Sequence, residues 1–338
     1  MLYLSVGSLL ALCFVGTAYG DKPIRNHADW IDTDGRPISC HEGGITRVGD
    51  TFYWYGTNYE GNPKFIFGPA AAGLQRDFNV YSSKNLVDWK YEGVCLAFPK
   101  KGPSPFGRTT SHRPNVLYNE KTHKYVMWFF ICLDYPGVLL HVAVADKPVG
   151  PFTILGPRLS GEEGHGWAQD LGLFKDDDGK GYLVYDDGQR NMRVDLLSDD
   201  YTESSYQTVI ALKADAKHIY EGAAMVKYRN KYIVAGSGVV GVDNSDTSYA
   251  VADSPLGPYK EMGLMSEQKT WNSQISNFVY IKESDKAFAI CDQWFVGSNG
   301  VDRNMPADKS RQLWLPVDFN PETGAAKLLH VEEWNPWN

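Results

Sequence analysis

The chain has 338 residues, of which 43% are hydrophobic and 13% aromatic, and it contains 33 Gly and 18 Pro. Its net charge is −8 and it has no long basic run, so the electrostatic pattern of a nucleic-acid-binding protein is missing. Abundant aromatic residues with evenly spread Gly and Pro are typical of short strands joined by tight turns, and this length is normal for a β-barrel or propeller.

The first 20 residues are almost wholly apolar, contain no acidic residue and end in Ala18-Tyr19-Gly20. Their length and small terminal residues predict a signal peptide, with an uncleaved membrane anchor as the alternative because a basic start is missing. No later segment approaches the roughly 18 consecutive apolar residues of a membrane helix. We therefore expect a secreted or periplasmic protein without a stable membrane partner. Residues 21–338 are expected to form one monomeric domain.

A strand, a polar turn and a second strand recur along the chain. These predicted hairpins span residues 44–56, 114–129, 172–185, 224–235 and 277–290. A further apolar strand follows each hairpin, at residues 79–83, 141–146, 193–196, 249–253 and 313–317, and these strands recur at intervals of 52 to 64 residues. A propeller blade is four antiparallel strands, so the repeats predict an all-β, five-bladed β-propeller.

Helical periodicity is not sustained over three turns anywhere, which predicts few and short helices. The tail from Trp334 to Asn338 is expected to pack where the ring of blades closes. Four cysteines follow the signal segment, namely Cys40, Cys95, Cys132 and Cys291. They are too widely spaced for a zinc knuckle and too few for a disulfide scaffold. One or two disulfides and buried free thiols both remain open.

Polar residues stand at the start of all five predicted inner strands, which converge on the propeller axis. The five starts are His41-Glu42, Ser111-His112-Arg113, Gln169-Asp170, Tyr220-Glu221 and Asn272-Ser273-Gln274. Glu221 leads into the apolar run 222–226, and burial there would raise its pKa and favour the protonated form that a general acid needs. Glu221 is therefore the candidate proton donor. The alternative is a Glu at a strand edge that faces solvent or an Arg.

Several of these segments together resemble glycoside hydrolase family 43, and within it the exo-β-1,3-galactanase branch. The resemblance runs over nearly all of residues 21–338. It is carried by Gly43-Gly44-Ile45 with Phe52-Tyr53-Trp54-Tyr55-Gly56, Arg113-Pro114 with residues 124–129, Asp170 ahead of residues 174–179, Tyr220-Glu221-Gly222, and Thr270-Trp271-Asn272-Ser273-Gln274.

The resemblance implies a five-bladed, inverting hydrolase with its catalytic groups around the axis and no cofactor. By position, Glu221 matches the general acid, while Asp170 and Tyr135 match residues that contact the sugar. Gln274 matches an amide that stands where a base is expected, which implies a site poor in bases. Inversion normally uses two carboxyl groups roughly 6.5–9.5 Å apart with a water between them. Gln189 completes the substrate-binding set that we predict.

Two positions that are acidic in the galactanase branch are Thr57 and His112 in this chain, and the loop after Ala235 reads Gly236-Ser237-Gly238. This predicts a remodelled sugar pocket, with Thr57 and His112 among the substrate-binding residues. Glu42 adds a carboxylate that would replace the missing base. Because side chains alternate between the faces of a strand, Glu42 could equally point outward.

No metal site is expected. His41 and His112 lack metal-ligand spacing, and the run Asp176-Asp177-Asp178-Gly179 lacks the distal Glu of a calcium loop, so we interpret it as a solvated hairpin tip. Trp54, Trp128 and Trp294 are interpreted as core residues, with stacking on a sugar as the alternative.

Three functions follow from these residues. The first is an exo-acting, inverting hydrolase of a β-linked polysaccharide or oligosaccharide of the galactan type. The second is a catalytically weak or inactive propeller that binds sugar, because Thr57, His112 and Gln274 stand where carboxylates would be expected. The third is a related arabinofuranosidase or xylosidase, which usually has an Asp where Cys40-His41-Glu42-Gly43 stands.

Overall fold

A computed structural model describes most of the chain after the predicted signal segment. The described residues are 22–60, 76–98, 110–132, 138–162, 168–240, 243–294, 296–297, 300–301 and 307–338. The predicted signal peptide and Tyr135 lie outside them.

Five four-stranded antiparallel sheets make up the described structure, each formed by four strands that are consecutive or nearly so. A short strand, β1 (Ile24–Arg25), precedes them. Blade 1 contains β2 (His41–Val48), β3 (Thr51–Thr57), β4 (Phe78–Ser83) and β5 (Lys90–Leu96). Blade 2 contains β6 (Thr110–Asn119), β7 (Lys124–Cys132), β8 (Val138–Ala145) and β9 (Thr153–Arg158). Blade 3 contains β10 (Ala168–Lys175), β11 (Gly181–Asp187), β12 (Met192–Leu197) and β13 (Ser204–Leu212).

Blade 4 contains β14 (Tyr220–Tyr228), β15 (Lys231–Gly238), β16 (Thr247–Ala252) and β17 (Lys260–Leu264). Blade 5 contains β18 (Gln274–Ile281), β19 (Lys286–Gln293), β22 (Arg311–Phe319) and β23 (Ala326–Leu328), and the pair β20 (Val296–Gly297) and β21 (Gly300–Val301) is inserted within it. The last strand is β24 (Glu333–Trp334). The predicted all-β, five-bladed propeller is confirmed.

A separate hydrophobic core fills the space between each pair of neighbouring blades. Blades 1 and 2 share a core that includes Phe78 and Phe129, and blades 4 and 5 share one that includes Ile233 and Leu315. The same arrangement joins blades 2 and 3, 3 and 4, and 5 and 1. Both faces of the second strand of a blade are therefore buried, which explains a nearly continuous apolar sequence such as Tyr125–Ile131 in β7.

Each innermost strand carries a β-bulge, a point at which one extra residue is inserted opposite its partner strand. The irregularity falls between His41 and Gly44 in β2 and at the matching positions of β6, β10, β14 and β18. Within four of these bulges the backbone has a positive φ, at Glu42 (63°), Arg113 (53°), Asp170 (46°) and Gly222 (70°). A bulge interrupts the alternation of side chains. Neighbouring residues such as His112 and Arg113 can therefore both face the axis.

The ring closes between blades 5 and 1. Strand β1 pairs with β24, and the buried Asn26 side chain donates to the carbonyl oxygens of Trp314 (2.8 Å) and Val331 (2.9 Å). It also accepts from the Trp314 amide at 2.8 Å. The rings of Trp54 and Trp314 lie 5.2 Å apart in the core between these blades. The chain terminus packs here as expected, with Trp334 against this core.

Non-strand elements are short in the described part of the chain. The segment α1 (Gln268–Asn272) has φ of 50–60° at every residue, so it is a left-handed turn, and Ala307–Lys309 forms a 3₁₀ turn. Among the described residues no helix is long and apolar enough to cross a membrane. Cys40, Cys95, Cys132 and Cys291 are free thiols, which decides the question that the sequence left open.

Replacing Asn26 with Ala should destabilise the ring closure. The buried Trp314 amide and the Val331 carbonyl would each lose a partner, and we expect the free energy of unfolding to fall by about 2 kcal/mol. Urea unfolding measures this change, and Asn230→Ala, in the exposed turn between β14 and β15, is the matched control. Equal stability of the two variants would contradict the closing role of Asn26.

Candidate active site

A cavity of about 390 Å³ opens on the propeller axis at the starts of the inner strands. All five blades contribute to its wall. The lining side chains include Glu42, His112, Arg113, Phe130, Cys132, Gln169, Asp170, Arg190, Glu221, Asp243, Gln274 and Trp294. The predicted clustering of polar strand starts at one mouth of the channel is therefore what the fold produces.

Glu221 lies at the wall of this cavity with 17% of its side chain exposed. Burial and the negative charge of Asp170 raise its pKa from 4.5 to about 7, against the opposing charges of Arg190 and Arg113. The side-chain amide of Gln274 donates to Oε1 at 2.8 Å. Glu221 thus carries a proton in much of the population near neutral pH, as a proton donor must.

Asp170 and Arg113 form an ion pair beside Glu221. Arg113 Nε lies 3.0 Å from Asp170 Oδ1, and the Gly222 amide donates to Asp170 Oδ2 at 3.1 Å. The buried Arg113 also donates through Nη2 to Gln274 Oε1 at 3.0 Å and through Nη1 to the Ile275 carbonyl at 3.3 Å. This guanidinium therefore ties blades 2, 3 and 5 together across the axis.

Asp186 and Arg190 complete the group of charges, and sequence reasoning missed both. Asp186, at the end of β11, is fully buried. Its Oδ2 accepts from Gln169 Nε2 at 3.2 Å and from Arg190 Nη1 at 2.5 Å. Arg190 Nη1 also lies 3.6 Å from Glu221 Oε2. The sequence feature that could have indicated them is the pair of acids Asp186-Asp187, which ends the otherwise apolar strand β11.

Glu42 faces the cavity but is occupied by hydrogen bonds. Tyr59 donates to Oε1 (2.8 Å), Thr57 donates to Oε2 (3.1 Å), and His112 Nδ1 lies 3.0 Å from Oε2. Although burial opposes ionisation, the pKa of Glu42 is lowered to about 2, mainly because of the charge and hydrogen bond of His112. Glu42 is therefore a carboxylate at neutral pH, with most of its lone pairs in use.

His112 is fixed on both sides of its ring. Nε2 lies 2.8 Å from Thr110 Oγ1, and the ring stacks on Phe130 with centroids 5.1 Å apart. Because Nδ1 faces Glu42, the imidazole has one orientation at the cavity wall. Thr57, by contrast, is fully buried behind Glu42 and is not among the side chains that line the cavity.

Gln274 directly follows the left-handed turn α1. A left-handed residue costs roughly 1–2 kcal/mol, so this turn needs support from its surroundings. The support comes from the buried Thr270, whose hydroxyl lies 2.9 Å from Thr247 Oγ1 and 2.8 Å from Ser266 Oγ and donates to the Ser245 carbonyl. The Trp294 indole adds a contact of 3.4 Å to Gln274 Oε1. Trp294 therefore lines the cavity, whereas Trp54 and Trp128 are core residues as expected.

Gln189, like Thr57, was predicted to bind substrate but does not line the cavity. Gln189 is exposed on the turn after β11 and lines a separate depression of about 250 Å³ with Tyr185 and Arg193. The next residue, Arg190, is the one that reaches the cavity. His41 pairs with Asp292 (3.0 Å) behind the wall, so it does not meet His112.

No group of three or more His, Cys, Asp or Glu among the described residues is arranged to hold a metal ion. At the hairpin after β10, Asp176 is not solvated as expected but is bound by Lys227 (2.9 Å) and Tyr232 (2.7 Å). Asp177 and Asp178 do face solvent, with 87% and 48% of their side chains exposed.

The profile of the Glycosyl hydrolases family 43 matches residues 37–284, which is more than half of the chain. The chain belongs to this family. The family 43 match runs from the residues before blade 1 to the first strand of blade 5, and so contains Glu42, Asp170, Glu221 and Gln274. The predicted family is confirmed.

Solved structures of family 43 proteins superimpose on most of the chain. A β-1,3-galactosidase with bound galactodeoxynojirimycin has 26% sequence identity and a TM-score of 0.78, covering 92% of this chain and 100% of its own. An exo-β-1,3-galactanase from Phanerochaete chrysosporium with β-1,3-galactotriose has 27% identity and a TM-score of 0.76, covering 93% of this chain and 68% of its own.

A curated relative is named for a different substrate from those of the two structures above. The arabinoxylan arabinofuranohydrolase of Bacillus subtilis (strain 168) is 26% identical over 271 residues, which is 68% of this chain and 51% of the relative. The chain thus spans about half the length of that relative.

The Glu42–His112 contact should make the free energy of unfolding depend on pH in the acidic range. The folded-state pKa of Glu42 (about 2) lies below its ordinary 4.5, so its contribution is present above about pH 4.5 and is lost as the pH falls towards 2. Between pH 5 and pH 2 the free energy of unfolding should therefore fall by up to about 3 kcal/mol less in Glu42→Gln than in the wild type. Urea unfolding at each pH measures this difference. Glu92→Gln, on the outermost strand of the same blade, is the control. An unchanged acid dependence in Glu42→Gln would contradict the pairing.

Proposed function

We propose that the protein is an exo-acting, inverting glycoside hydrolase that cleaves β-1,3-linked galactan or a closely related polysaccharide, with Glu221 as the proton donor. The observation that carries this proposal is the state of Glu221, a largely buried carboxyl group with a pKa of about 7 at the wall of the axial cavity. Protonation of the leaving-group oxygen is the step that such a group performs in glycoside hydrolysis.

The other charged groups support this role. Asp170 is held in place by Arg113 and by the Gly222 amide, and its negative charge favours the protonated form of Glu221. Asp170 can also accept a hydrogen bond from a sugar hydroxyl, because part of its side chain (15%) remains exposed. The same Asp170 side chain can therefore favour the protonated form of Glu221 and contact the sugar.

The partner that activates water is Glu42 or Gln274. Glu42 is ionised but shares its oxygens among Thr57, Tyr59 and His112. Gln274 is bonded to Glu221 itself, and its amide oxygen is a much weaker proton acceptor than a carboxylate. We infer that water activation, and not proton donation, limits the rate at this site, and that Glu42 also orients His112 towards the sugar.

The galactan substrate is proposed from the structural relatives, of which one is described as a β-1,3-galactosidase and another contains β-1,3-galactotriose. An arabinofuranosidase or xylosidase activity is the second candidate, because curated relatives carry the names arabinoxylan arabinofuranohydrolase and beta-xylosidase. Binding of sugar without turnover is the third possibility, motivated by the occupied oxygens of Glu42.

Incubation with β-1,3-galactan should release galactose, and Glu221→Gln should lower kcat by about 10²–10⁴-fold because the proton donor is lost. NMR at early times should show the α-anomer first, since inversion of a β-linkage produces it. Glu261→Gln, on the outermost strand of the same blade, is the control and should keep full activity.

Parallel incubations with arabinoxylan and aryl xylosides separate the candidate substrates. Release of arabinose or xylose, with none of galactose, would replace the galactan proposal by the second candidate. Sugar affinity by calorimetry without any turnover in the wild type would leave a binding protein.

We also propose export of the protein, with residues 1–20 as the signal. Expression of the full chain in a secreting host should yield a product that begins at residue 21, which N-terminal sequencing measures. An intact N-terminus on a membrane-bound product would indicate an anchor.

A further inference from the structure

Arg190 lines the cavity and contacts both the fully buried acid Asp186 and the proposed proton donor Glu221. It follows the end of β11 at a positive φ (66°), in the turn that connects β11 to β12. From this turn its Nη1 reaches back to Asp186 Oδ2 (2.5 Å) and lies 3.6 Å from Glu221 Oε2. Its side chain is 29% exposed, so the guanidinium stands at the boundary between the protein and the cavity.

Nη1 of Arg190 donates to Asp186 Oδ2 at 2.5 Å, which is a short hydrogen bond from a cationic donor. Burial and the nearby Asp170 raise the pKa of Asp186 well above its ordinary value, and the charge and hydrogen bond of Arg190 offset only part of this rise. One Asp186 oxygen, Oδ1, has no partner in the described structure. Because a guanidinium stays protonated at any relevant pH, Arg190 is the fixed positive charge that holds this acid.

We propose that Arg190 is a positioning residue for the proton donor: held by Asp186, it places one positive charge against Glu221 and fixes the orientation of that carboxyl group. This inference rests on the proposed role of Glu221. Its consequence is that the Asp186–Arg190 pair decides at which pH the enzyme loses activity on the basic side, where the donor ionises.

Other groups around Glu221 act on the same proton and must be held constant in the test. They are Asp170 from β10, Arg113 from β6, Gln274 from β18, Asp243 from the loop after β15, and the Glu42–His112 pair from β2 and β6. None of these is altered by substitution at Arg190 or Asp186. Whether a substitution raises or lowers the pKa of Glu221 is therefore decided by the charge that the substitution removes.

Arg190→Gln removes the positive charge beside Glu221. The basic limb of the kcat/KM profile, which is the pH range where activity falls because the donor ionises, should then move to higher pH by about 1 unit. This is the lower end of the pKa shift that a nearby opposite charge produces. Asp186→Asn frees the guanidinium to turn towards Glu221 and also removes an acid that interacts directly with Glu221, and both effects should move the limb down. Arg190→Lys keeps the charge and should return the limb most of the way to its wild-type position.

The matched control is Arg193→Gln. Arg193 is three residues further along and pairs with Asp187 (2.6 Å), but it lines the separate depression with Gln189 and not the axial cavity. Its basic limb should coincide with that of the wild type. A merely structural role of Arg190 would lower activity at all pH values without opposite shifts in the two variants.

Titration of Glu221 by ¹³C-carboxyl NMR without substrate, assigned by loss of its signal in Glu221→Gln, gives a readout independent of turnover. If Glu221 titrates higher in Arg190→Gln and lower in Asp186→Asn while no sugar is released by the wild type, this inference stands and the proposed function fails. If the wild type hydrolyses galactan but the Glu221 titration and the basic limb stay unchanged in Arg190→Gln, or move the same way in both variants, the inference is overturned and the proposed function stands.

Discussion

Charged side chains that are buried around the axial cavity must be matched by charges of opposite sign, and the site depends on this constraint. Glu42 faces His112, Asp170 faces Arg113, and Asp186 faces Arg190. An unpaired ion in such surroundings would cost several kcal/mol, so each pair is needed for the fold as well as for chemistry. Glu221 has no cation of its own and shares those of its neighbours. Burial and the negative charge of Asp170, opposed by Arg190 and Arg113, therefore leave its pKa at about 7.

The same constraint limits what the site can do. Three acidic side chains are committed to partners, and Gln274 is bonded both to Arg113 and to Glu221, the proposed proton donor. The geometry therefore suits Glu221 to proton donation. Activation of water would depend on Glu42, which has few free lone pairs, or on the amide of Gln274. A pocket of this kind favours a substrate whose own hydroxyl groups help to orient the attacking water.

The sequence was sufficient for the propeller because the repeats are local. Each hairpin and the strand after it lie within a few tens of residues, and their apolar runs are set by burial between blades. The start of each inner strand was also predictable, which brought Glu221, Asp170 and Gln274 to one mouth. The direction of Glu42 was not, because the alternation of faces fails at a bulge, and no local pattern distinguishes that bulge from a regular strand.

The pairs themselves could not be predicted. His112 meets Glu42 across 70 residues, and Arg113 meets Gln274 across 161. These contacts exist only once five blades have closed. Arg190 and Asp186 lie on the second strand of a blade and its turn, away from the strand starts that sequence reasoning searched. Gln189, which was predicted to bind substrate, is one residue from the position that reaches the cavity.

The repeated bulge has a consequence for how this molecule can change. Four of the five bulges place a residue of positive φ at an equivalent backbone position, which is occupied by Glu42, Arg113 and Asp170 in blades 1 to 3 and by Gly222 in blade 4. The charge that a blade presents to the axis is therefore set by one residue of its bulge, and a change of that residue also requires a change of its buried partner. A propeller of this kind can acquire or lose catalysis through the identity of a few residues on one ring, while its cores between blades remain under separate selection for stability.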